Sequence, residues 1–110
     1  MSTMDKEEEE EKTVNIWSEW LDFNLSSITT ADVANKPGVF KVHANMKILF
    51  IGSGTNLQQS LKDSLSDPCI SKARRFSFLV TDNAEQIKDQ LVREYRESHG
   101  GNLPSCMENT

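Results

Sequence analysis

The chain has 110 residues, with 12 Lys and Arg against 17 Asp and Glu, and a formal net charge of −5. That length supports one domain with one modest core. No apolar run approaches the roughly 18–20 residues that cross a bilayer, and the N-terminus lacks the apolar centre of a secretion signal, so no membrane partner is expected and a cytoplasmic location follows.

The charge is unevenly placed. Residues 1–12 hold six acids (Asp5 and Glu7 to Glu11) and two lysines, which leaves ten bases and eleven acids for the rest. The acidity therefore belongs to an end segment, and the remainder is close to neutral. A run of five glutamates repels itself, so residues 1–13 read as a disordered, solubilising tail. A mimic of nucleic-acid charge is the sharper alternative. Cys69 and Cys106 lie far apart and outside any C-x-x-C pattern. Reduced thiols are expected, and the sequence supplies no argument for a disulfide.

Along the chain, Ile16, Trp17, Trp20 and Phe23 recur at helical spacing with Leu21 adjacent. This predicts a short amphipathic helix laid over the domain. Trp17 and Trp20 read either as core packing or as a partner-binding surface. Residues 24–37 are rich in Ser, Thr and Asn and end in Pro37, as a connecting loop would. Val39–His43 and Met46–Ile51 are β-rich runs separated by Ala44-Asn45, which suits a hairpin. Ile48 to Ile51 is apolar at every position, the pattern of a strand covered on both faces and central in its sheet.

Gly52-Ser53-Gly54 punctuates the chain and predicts a tight turn from strand into helix. Thr55 and Gln58 fit a capping box, with Thr55 capping and Gln58 reaching back. Leu57, Leu61 and Leu65 share one helical face, and Asp67-Pro68 stops the helix. Phe76–Val80 is a third strand. Asp82-Asn83-Ala84-Glu85 opens a second long helix whose inner face carries Ile87, Leu91 and Tyr95, with Val92 at its flank. Gly100-Gly101 closes it. The order hairpin, helix, strand, helix gives an α+β fold with a small three-stranded antiparallel sheet.

Two triplets in that order, Gly38-Val39-Phe40 and Phe50-Ile51-Gly52, are separated by nine residues and followed by Asn56-Leu57 at the start of the helix. In this the chain resembles the GIY-YIG nuclease superfamily, over about residues 37–107. The late helix, with Leu91-Val92 and Tyr95, is similar too. Together with the composition and periodicity read above, this divides the chain into an acidic tail (1–13), an amphipathic helix and linker (14–36), the domain of the resemblance, GIY-YIG-like (37–107), and a short tail (108–110). The resemblance implies metal-assisted phosphodiester hydrolysis, in which a tyrosine activates water, an arginine and a second tyrosine support phosphate, and a glutamate holds a divalent cation.

Position by position, the resemblance removes that chemistry. The two tyrosines fall on Phe40 and Phe50, which have no hydroxyl. The arginine falls on Ser60 and the glutamate on Lys88, an ammonium where a cation would bind. The closing Pro-x-x-Asn of the family matches only at Pro104, with Met107 in place of the asparagine. The motif glycines, Gly38 and Gly52, are kept. The chain thus reads as a nuclease scaffold with no catalytic residue intact and no cofactor, acting as a binding module for nucleic acid or for a protein partner.

Two alternatives stand beside it. A divergent endonuclease would need Mg2+ or Mn2+ and would draw on Glu85 or Asp89. A self-associating structural domain would pair an exposed strand edge with its own copy, so that both monomer and homodimer are open. For nucleic acid, the candidate contacts are Lys41, Lys47, Lys72, Arg74, Arg75 and Lys88. His43 and His99 are single histidines without a ligand pattern, and His99 with Cys106 makes at most half a metal site. Gly52-Ser53-Gly54-Thr55 is short of both the phosphate-binding loop and the dinucleotide fingerprint.

Overall fold

The computed structural model describes residues 17–107. The acidic tail expected over 1–13, the first three residues of the segment 14–36 and the tail 108–110 lie outside the described residues. In chain order the elements are β1 (Leu21–Asp22), α1 (Leu25–Thr30), β2 (Gly38–Ala44), β3 (Lys47–Gly54), α2 (Leu57–Ser64), a 3-10 turn (Ile70–Lys72), β4 (Arg75–Val80), α3 (Ala84–Ser98) and a second 3-10 turn (Ser105–Met107). The fold is α+β, as expected. The sheet has four strands among the described residues rather than three, in the order β1-β4-β2-β3 and antiparallel throughout.

The fourth strand comes from the segment expected to be helical. Residues 17–20 are irregular and Leu21–Asp22 pairs with Arg75 and Phe76 of β4. The Ser18 N–H donates to the Phe78 carbonyl at 2.9 Å, and the Phe23 N–H to the Arg74 carbonyl at 3.0 Å. These bonds satisfy the outer edge of β4, which would otherwise stay open, and they set a period of two. Leu21 and Phe23 pack with the core, while Trp20 and Asp22 meet His43 and Arg75 on the opposite side of the sheet. The expected loop over 24–37 likewise contains α1. Asn24 caps it, its side chain accepting from the Ser27 N–H at 2.8 Å. Ile28 and Val33 are fully buried.

The hairpin forms with a small displacement. Its turn is Asn45-Met46, not Ala44-Asn45, and both residues take positive φ (54° and 65°), as a two-residue turn matching strand twist requires. The register pairs Phe40 with Gly52 and Val42 with Phe50, with an irregularity between Val42 and His43. The strand β3 is the outer strand, not a central one. Its unbroken apolar run is explained by cover on both faces, from α2 on one side and α3 on the other. A covered strand and a central strand give the same pattern.

One apolar cluster lies between the sheet and α1 and α2. It contains Phe23, Ile28, Val33, Phe40, Val42, Leu57, Leu61, Ile70, Ala73 and Phe76. Residues before Gly38 are therefore part of the same core as the hairpin. The α2 cap is Asn56, one residue after the expected Thr55, with its side-chain oxygen accepting from the Gln59 N–H at 3.1 Å. Asp67 then turns the chain, accepting from the N–H groups of Cys69 and Ile70. On the other face, α3 packs over β3 and β2. Ile87, Leu91, Val92 and Tyr95 are half-buried, and no α3 residue is fully buried. Gly100 and Gly101 end the helix with φ of 66° and 92°, the conformation that favours glycine.

The cysteines depart from expectation. Cys69 and Cys106 form a disulfide across 37 residues, tying the loop before the first 3-10 turn to the second. Two thiols far apart in sequence give no local sign of this, because their meeting depends on the path of α3 back past the hairpin. By loop length alone such a link is worth about 4 kcal/mol. Among the described residues, no helix is long and apolar enough to cross a membrane.

Candidate functional site

The positions singled out by the resemblance fall on two faces of the sheet. Phe40 and Phe50 lie on adjacent strands and point to the core side, their ring centroids 5.9 Å apart. Phe40 is 2% exposed and Phe50 is half-buried. Gly52 makes room for both: a Cβ there would stand 2.6 Å from Phe40 Cζ and 2.6 Å from Phe50 Cε2. Gly38 is similarly closed in, by the Leu57 side chain and the Leu79 carbonyl. Ser60 sits on α2 beside Gly54, whose lack of a side chain lets its hydroxyl approach. The expected turn at Gly52-Ser53-Gly54 is the end of β3 itself.

Lys88 does not join them. It lies on α3, over the opposite face, with its ammonium 3.5 Å from Glu85 Oε1. The other oxygen of Glu85 accepts a 2.6 Å bond from the Ser53 hydroxyl. That bond first, and Lys88 second, hold the Glu85 carboxyl below its usual range. The divalent cation implied by the family does not fit this donor set, because the position of its carboxylate is an ammonium and the neighbouring carboxylate is engaged by a hydroxyl. Asp89 is exposed on the same helix. His99 stacks on Tyr95 at 3.8 Å, with Nδ1 bonded to the Tyr95 carbonyl, and Cys106 is in the disulfide. The half metal site considered for His99 and Cys106 is thus ruled out, since a disulfide sulfur offers no thiolate.

A different group of candidates does converge. Lys41 and His43 occupy alternate positions of β2 and share the face opposite the core. On β4, Ser77 pairs with Lys41, and Arg75 pairs with His43. Over this patch runs the segment before β1. The Lys41 ammonium lies 4.2 Å from the centroid of the Trp17 ring and 5.6 Å from that of Trp20. Trp20 meets the His43 ring edge-on at 4.1 Å. The Ser18 and Ser77 hydroxyls lie 3.2 Å apart, and Ser77 donates to the Ser18 carbonyl. Arg75 pairs with Asp22 at 2.9 Å, with both side chains more than half exposed.

Among the described residues this patch carries more cationic than anionic side chains, with Asp22 paired to Arg75. Burial lowers the Lys41 pKa, and among the described residues no carboxylate pairs with it. Burial, then Arg75 and then Lys41, push the His43 imidazole below 6.5, favouring its neutral form. His43 Nδ1 is buried without a hydrogen-bond partner among the described residues. Beside it opens a cleft of about 390 Å³ lined by Asp22, His43, Asn45, Met46, Arg74 and Arg75.

The remaining basic candidates lie elsewhere. Lys47 and Lys72 line a separate depression of about 410 Å³ next to the disulfide, and Lys88 is engaged by Glu85. Of six candidate contacts, the structure therefore brings together Lys41, Arg74 and Arg75. Sequence reasoning set His43 aside as a single histidine and gave Asp22 and Ser18 no role. An alternation of Leu21 and Phe23 against Trp20 and Asp22 was the available sign of a strand there. No family model, characterised protein or solved structure matches the chain.

Proposed function

We propose that this chain is a catalytically silent GIY-YIG-like domain that serves as a binding module for nucleic acid. The observation that supports the first half is the pairing of Phe40 with Phe50 against Gly52 on the core side of the sheet. The place of two catalytic hydroxyls is taken by packed rings, and dispersion and burial replace hydrogen bonding there. The second half is supported by the placing of Arg74 and Arg75 about the cleft beside His43, with Lys41 two residues before His43 on the same face of β2. Cationic side chains grouped on one face are the electrostatic footprint of phosphate binding.

The test is a panel of labelled duplex, branched and single-stranded DNA and RNA, incubated with the protein and Mg2+ or Mn2+ and scored for both mobility and cleavage. Retarded mobility without cleavage is the expected result. Cleavage that persists through repurification, and is abolished by Glu85→Gln or Asp89→Asn, would establish the divergent endonuclease instead. Binding to none of the panel would turn the search to a protein partner of the Trp17 and Trp20 segment.

Self-association is a second reading, favoured by the place of β3 at the edge of the sheet. An outer strand presents N–H and C=O groups that a copy of itself can pair with. Light scattering across a wide concentration range tests it: a constant monomer mass removes the reading, and a mass that doubles supports it.

A further inference from the structure

We propose that the face formed by Trp17, Trp20, Lys41, His43 and Arg75 is the recognition site, and that its ligand is an unpaired nucleic-acid strand. This rests on the binding-module reading above, and it differs from what the resemblance implies. The family's chemistry would fall on the side of Phe40 and Phe50, and that side is filled by α1 and α2.

Three observations carry it. First, the patch combines the two groups that hold a single strand: cations for the phosphates and flat aromatic rings for the bases. Both tryptophans of the chain are here, and Trp20 remains 40% exposed. Second, the charges are available. The Lys41 ammonium lies over two indole rings and makes no ion pair with a carboxylate among the described residues, so an incoming phosphate would supply a counter-ion. Asp22 is the carboxylate facing Arg75, and so exposed a pair is held weakly, so a phosphate can displace it. Third, the surface is wrong for a duplex. The patch is a sheet face under an extended strap, and among the described residues no helix projects from it to enter a major groove. Splayed bases can reach the indole faces, and stacked, paired bases cannot.

Intrinsic fluorescence reads this site directly, because no other tryptophan contributes. The full chain is titrated with oligothymidylate and oligouridylate, with a matching duplex, and with polyglutamate as a polyanion that has no bases. Saturable quenching by the two single strands is expected, weakening with salt, with little response to duplex or polyglutamate. Lys41→Gln and Arg75→Gln should each weaken binding and reduce the slope of log affinity against log salt by about one. Trp20→Leu should weaken it about ten-fold. Lys47→Gln and Lys72→Gln, in the other depression, should leave it unchanged. Circular dichroism melts establish that each variant folds, and Arg75→Gln, at an exposed side chain, keeps the test open if Trp20→Leu does not.

Single strands that bind without quenching, or that weaken with Lys47 and Lys72 rather than with Lys41 and Arg75, would overturn this site while leaving the module intact. Equal quenching by duplex or by polyglutamate would overturn the unpaired strand as ligand. Failure of every nucleic acid to bind, by mobility as well as by fluorescence, would overturn the module itself.

Discussion

The two faces of one sheet have been put to opposite uses. Along β2, Phe40 and Val42 are buried against α1 and α2, and the residues between and beyond them, Lys41 and His43, stand among indoles, hydroxyls and a guanidinium. The same alternation runs through β4, where Phe76 is fully buried and Arg75 and Ser77 face the other way. A strand has no other way to serve two environments than by alternating. The face that carries Phe40, Val42 and Phe76 is apolar. The opposite face also buries Val39, Ile51 and Leu79, and polar side chains gather only at its end beneath the tryptophans, at Lys41, His43, Arg75 and Ser77. A strand packed on one side can still present polar groups on the other, because its side chains alternate.

The largest test of this contrast is on the packed face. Phe76 is fully buried and meets both Phe23 and Phe78. Phe76→Ala should cost about 3–5 kcal/mol of stability in denaturant unfolding, whereas Arg75→Gln, its neighbour on the other face, should cost well under about 1 kcal/mol. A similar loss at both positions would erase the distinction.

Next in size is the disulfide. Cys69→Ser with Cys106→Ser should lower stability by about 2–4 kcal/mol, read as a reduced melting temperature, and a reducing agent should do the same to the native chain. No change on reduction would mean that the link is not formed in solution.

A smaller effect probes the Phe40–Phe50 pair. Phe40→Tyr introduces a hydroxyl where the ring is 2% exposed, and an unsatisfied buried hydroxyl costs about 1–3 kcal/mol. Phe50→Tyr, half-buried, should cost less. On the proposed reading the double variant gains no cleavage activity, since Ser60 and Lys88 occupy the positions that the resemblance gives to arginine and glutamate.

The smallest effect separates the faces by pH. His43 has a pKa lowered from 6.5 in the folded chain, chiefly by burial and then by Arg75 and Lys41. Asp22 lines the same cleft as His43 and pairs with Arg75. The unfolded chain therefore takes up the proton first as pH falls. The stability that neutral His43 contributes is complete above 6.5 and is lost as pH drops through the lower folded value. Melting temperatures across that range should decline in the native chain and decline less in His43→Gln. Glu85, held below 4.5, acts with the same sign only at lower pH.

What was legible in the sequence was local. The leucines of α2 and the closing glycines of α3 sit at fixed offsets along the chain, and the hairpin is read from two runs and a short turn. Where two periods coincide, the sequence misleads. Trp17, Trp20 and Phe23 satisfy a helical spacing, yet Leu21 and Phe23 also satisfy a strand, and the open edge of β4 decides between them. The β3 run announces that both faces are covered and is silent about position in the sheet. Lys41, Arg75 and the tryptophans were legible as separate candidates, but not as one patch, because Lys41 meets Ser77, and His43 meets Arg75, only through the pairing of β2 with β4. More than thirty residues separate those partners in the chain, as they do Cys69 and Cys106, and no local pattern spans them.

The division of the two faces is tested most directly by following backbone amide chemical shifts in the 15N-labelled protein during titration with oligothymidylate. The account predicts shifts at Ser18, Trp20, Asp22, Lys41, His43, Arg75 and Ser77, with Phe40, Gly52 and Ser60 unmoved. Shifts gathered at Phe40, Phe50, Gly52 and Ser60, with the tryptophan face silent, would contradict it.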